Sequence, residues 1–331
     1  MILIGDRQIY DRWAGGIHMR PVLADNSLGV NADGMDMSVN ATLRKDEWEI
    51  IDARVNEEAR HRLRLVEAFR SRGLIQPVGV GDIERVTERL EAFTEAQVSF
   101  DADTRPEEDK ASYLSDRRAI PIISHGFRIG FRQLASSERR GANLQADTAG
   151  LAARAVTHRL QALITNGIAS GAPSGGGIPG LTTATNAIDV SLATAWDDSG
   201  GDPIGDTERM LEAAYAKYLF GPFVMFTPKN YWAFLQGDYK DYTEKTYLER
   251  IRAFEDIADV IPLDDLSDDN VLLVQMTRDV MDISEAMTIT TWQWQKTPAV
   301  THFRVLAIMG PHIKSIETQD GDTINGIIHL S

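Results

Sequence analysis

The stretch Ala142–Gly171, ANLQADTAGLAARAVTHRLQALITNGIASG, decides how the rest of the chain is read. Leu144, Thr148, Leu151, Ala155, Ala162 and Thr165 recur on one face at helical spacing, with His158 or Arg159 in the same row. Leu160, Leu163 and Ile164 widen that stripe, the pattern of an amphipathic helix. The spacing predicts a helix from Asn143 to Ile168, on the order of 40 Å long. That is longer than the usual globular helix, and its many alanines let other elements approach closely. A rod of this length needs layers laid along it, so the fold is organised around it.

The rod runs into SGAPSGGGIPGL, Ser170–Leu181. A glycine run of this density raises the question of a phosphate-cradling loop, which needs a strand before it, a helix after it and a terminal Lys-Ser or Lys-Thr. Pro179, Gly180 and Leu181 stand where the lysine belongs, and the run follows a helix instead of opening one. It reads as a connector in which Gly175, Gly176, Gly177 and Gly180 supply the turn.

Towards the N-terminus, Trp48, Ile51, Val55, Ala59, Leu63, Val66 and Phe69 predict one further amphipathic helix, stopped by Gly73. Before it, Gly16–Leu43 has no sustained period and reads as an extended arm. Asp82–Arg118 is charged, carries Pro106 and is too sparse in apolar residues for a buried sheet, so it reads as a projecting hairpin. Residues 119–141 alternate around Ile120, Ile122, Phe127, Ile129 and Phe131, a strand leading into a short helix.

Beyond the connector, DTERMLEAAYAKYLF predicts a helix capped by Asp206 or Thr207. GPFVMFTPKNYWAFLQ reads as a buried strand, a turn at Pro228 and a short aromatic helix, and YLERIRAFEDIADVIPLDDL as a helix and a strand. NVLLVQMTRDVMDISEA holds another buried strand, so this part is an α/β unit. MTITTWQWQ and VTHFRVLAIMGPHIKSIE alternate as two strands that pair beside the long helix, with Trp292 and Trp294 packed against it.

The 331 residues, 43% hydrophobic and 25% charged, suffice for one elaborated domain or two modest ones. The chain has no cysteine, which excludes disulfides, thiol catalysis and thiolate metal sites. Its net charge of −15 argues against a phosphate-gripping surface. MILIGDRQIYDRWAGG lacks the basic and long apolar regions of an export signal, and no apolar run is long enough to span a bilayer, so a cytoplasmic product is expected. His18, His61, His125, His158, His302, His312 and His329 are dispersed without a metal-ligand spacing. Asp264, Asp265, Asp268 and Asp269 lack the calcium-loop pattern, and no nucleophile elbow occurs around Ser136, Ser137 or Ser170. No catalytic residue, cofactor or metal site is therefore assigned.

In their order, these parts resemble the Hong Kong ninety-seven fold of tailed-bacteriophage major capsid proteins and the related encapsulins. Lys45–Leu63 is similar to the encapsulin-type N-terminal helix, GGIPGLTTATN to the end of the spine helix, Phe223–Ile251 to the strand, helix and loop at capsomer axes, and Val300–Ile313 to the late strand. The resemblance implies an α+β capsid fold with an N-terminal arm over 1–43, a helix region over 44–76 and an extended loop over 77–119. It further implies a peripheral domain over 120–190 and 286–331, containing the spine helix, and an axial domain over 191–285. On it, Arg105, Glu107, Glu108, Asp109 and Lys110 belong to the loop that meets a neighbouring subunit. Gly237, Asp238, Tyr239, Lys240, Asp241 and Tyr242 belong to the capsomer-axis loop, and Gly175, Gly176, Gly177 and Gly180 become a hinge after the spine.

The implied function is a non-enzymatic major capsid protein that self-assembles through pentamers and hexamers into an icosahedral virion shell, formed in the host cytoplasm. The shell encloses double-stranded DNA without sequence-specific binding. A scaffolding protein, a portal and a decoration protein are the implied partners, scaffolding because no large leader precedes the arm. The alternatives are an encapsulin-type nanocompartment shell, and an acidic α/β enzyme whose site is scattered in sequence.

Overall fold

The computed structural model describes residues 45–90, 113–130, 132–133, 136, 144–172, 176–239, 245–297, 300–317 and 322–331. In chain order the elements are α1 (Lys45–Arg62), α2 (Arg64–Ser71), β1 (Ile75–Pro77), β2 (Glu84–Leu90), β3 (Tyr113–Ala119), β4 (Ile122–Gly130), α3 (Leu144–Asn166), β5 (Ile188–Val190), α4 (Pro203–Tyr215), β6 (Phe223–Pro228), α5 (Lys229–Leu235), α6 (Tyr247–Arg252), β7 (Ile257–Leu263), β8 (Val271–Gln275), β9 (Met281–Thr297), β10 (Val300–Ile313), β11 (Ile316–Glu317), β12 (Thr323–Ile324) and β13 (Ile327–Leu330). Two compact units result, one from the chain up to Leu63 with Ile122–Leu160 and Met287–Ile308, the other from Arg64–Pro121, Gln161–Ala286 and Met309–Ser331. No described helix is long and apolar enough to cross a membrane. The predicted arm lies outside the described residues.

The long helix exists, and Leu160, Leu163, Ile164 and Thr165 of its expected stripe are buried, but the N-terminal half of that stripe is rotated from the one expected. Ala149, Ala152, Ala153, Val156 and Leu160 are buried, whereas Leu151 is 62% exposed and Ala155 is exposed as well. The sequence reading followed the larger side chain; the packing followed the alanines, which bring α1 close. A Cβ on Gly150 would lie 3.4 Å from the Arg54 side chain. Glu58 of α1, 8% exposed, takes Arg154 of α3 in a two-pronged ion pair with bonds of 2.6 and 2.7 Å. This bond holds the Arg154 guanidinium above its ordinary pKa. Strands β4 and β10 pair antiparallel from Ile122↔Ile308 to Gly130↔Val300, and β9 flanks β10. One side of this pair buries Ile123, Ile129, Phe303, Val305 and Ala307.

The helix expected to run unbroken to Gly73 is two helices, interrupted at Leu63, where the first unit ends. Leu65, Val66, Ala68 and Phe69 then form the buried side of α2. No glycine or proline marks the break, so periodicity alone runs through it.

The second unit is built on a five-stranded sheet in the order β5-β13-β8-β6-β7. All six residues of β6, FVMFTP, are buried, and β7 pairs with it in parallel and β8 antiparallel. Continuous apolar runs are what a strand covered on both faces requires. Trp196, Met210, Ala214, Tyr231 and Ile251 pack with Phe223, Met225 and Leu273 in its core. Helix α4 starts earlier than expected: Asp202, not Asp206 or Thr207, is its N-cap, accepting a bond from the Gly205 amide, with Pro203 in the first turn. Asp206 is instead buried and accepts the Trp196 indole N–H at 2.8 Å.

Candidate functional site

Three segments singled out by sequence are placed by the second unit. The projecting hairpin is the β2–β3 ribbon, paired antiparallel from Glu84↔Ala119 to Leu90↔Tyr113; residues 91–112, including Arg105, Glu107, Glu108, Asp109 and Lys110, lie outside the described residues. Paired residues in such a ladder share a face. One face carries Val86, with Arg117 opposite, and Tyr113; Val86 and Tyr113 are exposed, as is Ile83 at the base.

The other face of the ribbon carries Arg85, Thr87, Asp116 and Arg118. Here Arg85 Nη1 donates to Asp282 Oδ1 at 2.5 Å and to Ser284 Oγ at 3.2 Å, while Thr87 Oγ1 is hydrogen-bonded to His312 Nε2 at 3.1 Å. Lys314 Nζ lies 3.1 Å from Asp282 Oδ2 and also donates to the Arg278 carbonyl. Burial by itself raises the Asp282 carboxyl, but His312, Arg85 and Lys314 outweigh it and hold the group at about 2. His312 Nδ1 lies 3.5 Å from Asp282 Oδ1. A cleft of about 540 Å³ adjoins these groups, lined by Thr87, Asp116, Arg118, Asp279 and Lys314 among others. Sequence reasoning missed this root entirely. Arg85 and Asp282 are 197 residues apart, and no local pattern connects them.

The glycine run has a geometric explanation. Ile168 and Ile178 exchange both backbone hydrogen bonds at 2.8 Å, and the amides of Leu181 and Thr182 donate to the carbonyls of Ile164 and Thr165. The returning chain thus lies directly on the last turn of α3. Gly167 has φ +70°, and a Cβ there would sit 2.3 Å from the Ile178 carbonyl oxygen. A Cβ on Gly180 would sit 2.3 Å from the Gly167 nitrogen, and one on Gly177 2.3 Å from the Ile168 carbonyl oxygen. Only hydrogen fits between two backbones in contact. Gly176 has nothing within 4 Å of a built Cβ, and Gly175 lies outside the described residues.

Gly237, Asp238 and Tyr239 leave α5 in a loop whose two ends are joined: Tyr239 N donates to Lys245 O at 3.0 Å and Tyr247 N to Gly237 O at 3.2 Å. Lys240, Asp241 and Tyr242 lie outside the described residues. Thr246 caps α6 in a reciprocal box with Glu249, a signal already present in the sequence TYLE. Tyr247 stacks on Phe234 at 5.1 Å and meets Tyr239 edge-on at 5.5 Å.

In the first unit, Trp294 does not pack into the core as expected. It is 40% exposed and stacks on His302 at 5.5 Å. Among the described residues no group of three or more His, Asp or Glu side chains is arranged to hold a metal ion.

A sequence comparison with curated proteins finds no match. The model of a family of unknown function, DUF6260, matches residues 37–323. The chain belongs to that family. Among solved structures, this DUF6260 member is similar to a virus-like particle from Pyrococcus furiosus, at 14% identity and TM-score 0.62, over 86% of this chain and 99% of that one. It is similar to the capsid of Myoviridae phage XM1 at 14% identity and TM-score 0.58, over 78% and 90% of the two chains. Mycobacterium phage Bobi gives 15% identity and TM-score 0.58, over 78% and 88%. The DUF6260 chain therefore has the Hong Kong ninety-seven-type capsid fold, an α+β architecture, as the order of parts implied.

Proposed function

We propose that this DUF6260 chain is a shell-forming subunit, the major capsid protein of a tailed bacteriophage. It assembles through pentamers and hexamers into an icosahedral shell around double-stranded DNA, without catalysing a reaction. The observation that carries this reading is the likeness to the capsid of Myoviridae phage XM1 over 90% of that chain's length. The exposed Val86, Tyr113 and Ile83 on a two-stranded ribbon support it, because an isolated ribbon with apolar residues in water gains by being covered.

In this reading residues 191–285 meet around capsomer axes through the loop beginning at Gly237, residues 120–190 and 286–331 form the peripheral part, and the segment around Lys110 reaches a neighbour. The glycine connector after α3 is a hinge in this reading, bounded by the backbone contacts at Gly167 and Gly180. Scaffolding, portal and decoration proteins are its partners. The test is light scattering with imaging of the purified protein, alone and with a candidate scaffolding protein. Closed shells that protect DNA from nuclease are expected; a monomer that yields no capsomers under either condition overturns the reading.

A second reading, an encapsulin-type compartment, is favoured by the TM-score of 0.62 to the virus-like particle. Distinctly smaller shells that enclose protein cargo and no DNA decide for it.

A further inference from the structure

The five-stranded sheet of the second unit ends in two unequal edges, β5 and β7. β5 has three residues, fewer than the roughly five or six of an ordinary strand, and a very short edge recruits little. β7 has seven, Ile257–Leu263, and among the described strands only β6 pairs with it. A strand of that length with a free row of N–H and C=O groups is a template for a strand of another chain. The outer side of β7 is interrupted at every second residue.

In a strand, the N–H and C=O of one residue point to the same side, and successive residues alternate. Val260 N donates to Asp259 Oδ1 at 2.8 Å, and Val260 O accepts from Arg252 Nη2 at 3.4 Å. Side chains have taken both backbone groups of Val260, so these face away from β6. The same guanidinium nitrogen donates to Asp259 Oδ1 at 3.1 Å, and the two side chains hold each other over the edge. Val260 beneath them is only 2% exposed. Further along the same side stands Pro262, which has no N–H to offer. Before the clamp, Ala258 is the extra residue of a bulge, since Phe223 and Val224 of β6 pair with Ile257 and Asp259. A bulge breaks the register that an incoming strand needs.

We infer that Asp259, Arg252 and Pro262 seal the outer edge of β7 against the sheet of a second copy. Asp259 and Arg252 are both nearly half exposed, and an ion pair in that setting adds little to the stability of a fold. Its place over the Val260 backbone gives it a different task. The inference goes beyond the shell reading and does not rest on it, because the edge is sealed within the single chain. Sheets that join edge to edge extend without limit, whereas a closed assembly needs contacts that end. With β7 sealed and β5 short, copies of this unit meet through loops and side chains and not through a continuous sheet.

Two measurements on the full chain test the seal. Asp259→Ala with Arg252→Ala is expected to speed hydrogen exchange at the Val260 amide at least about tenfold while the thermal midpoint holds. Adding Pro262→Thr to that pair is expected to give open-ended, thioflavin-positive assemblies in electron micrographs, at concentrations where the wild type gives none. Unchanged exchange at Val260, or a triple variant that associates as the wild type does, overturns the inference. Should the triple variant fail to fold, Asp259→Ala with Pro262→Thr is compared with Asp259→Asn with Pro262→Thr, since asparagine keeps an oxygen for the Val260 amide. Open-ended association in the alanine version alone upholds the seal, and equal behaviour of the two overturns it. Closed shells are told from open-ended assemblies by their shape, so a wild-type chain that forms no shells counts against the shell reading and leaves the sealed edge standing.

Discussion

Strand β6 and the β2–β3 ribbon belong to the same unit and solve opposite problems. Every side chain of β6 is buried and both its edges are paired, one by β7 and one by β8. The ribbon has a single pairing, exposes Val86 and Tyr113, and is tied to the rest of the unit by Arg85 and Thr87 through charge and hydrogen bonds. One region is complete within a single chain. The other is anchored at its root and leaves apolar side chains in water. Sheet stability comes from covered faces, so β6 belongs to the folded core, and on the proposed shell reading the ribbon serves association.

The largest effect expected from this division is a double dissociation. Phe226→Ala removes a fully buried ring from the middle of β6 and costs about 4 kcal/mol, read as a large drop in thermal midpoint. Tyr113→Ser and Val86→Ser, at exposed positions, change the stability of the unassembled subunit by no more than about 0.5 kcal/mol, yet reduce particle yield. If the ribbon variants unfold the subunit as Phe226→Ala does, the contrast is broken and the ribbon is part of the core.

The root of the ribbon gives the next largest effect. Asp282→Asn leaves Arg85 and Lys314 beside a neutral amide and costs about 3 kcal/mol, the loss typical when one member of a buried ion pair is removed. The pH dependence follows from the same carboxylate, depressed from 3.8 to about 2. A depressed carboxyl stabilises the fold above its unfolded value and loses that contribution as pH falls through its folded value. About 2 kcal/mol is therefore present above pH 4 and lost towards pH 2. Urea midpoints measured across that range fall less steeply in Asp282→Asn than in the wild type. Parallel curves would place the acid sensitivity elsewhere.

How much of this the sequence discloses depends on how far apart the contributing residues lie. The apolar runs FVMFTP and VLLVQ announce buried strands, and the charged stretch 82–118 announces the ribbon, because each pattern is local. The four residues of β13 are too short for alternation to show, yet Ile327, Ile328 and Leu330 are buried between β5 and β8. The rotation of the α3 stripe escapes a reading that weights side-chain size, since the close-packed face is alanine. Trp294 escapes it too: an indole reads as core until its neighbours His302 and Arg304 are known to leave it open. The Asp282 cluster joins residues 85, 282, 312 and 314, and no window holds them together.

The loop after α5 lies between the two extremes and sharpens the comparison with the smallest effect. Its ends are closed by backbone bonds and by the Thr246–Glu249 box, so unlike the ribbon it is held at both sides by its own chain. Thr246→Ala removes the hydroxyl that accepts the Glu249 amide at 3.2 Å and costs about 1 kcal/mol, whereas Thr246→Ser keeps the acceptor and stays within a few tenths. Hydrogen exchange at the amides of Tyr239 and Tyr247 reads the local consequence, because both are bonded across the closure. Faster exchange in Thr246→Ala alone means that the cap holds the loop closed before any neighbour arrives. Unchanged exchange in both variants means that the aromatic contacts of Tyr247 with Phe234 and Tyr239 suffice, and closure is then a matter of packing, as it is in β6.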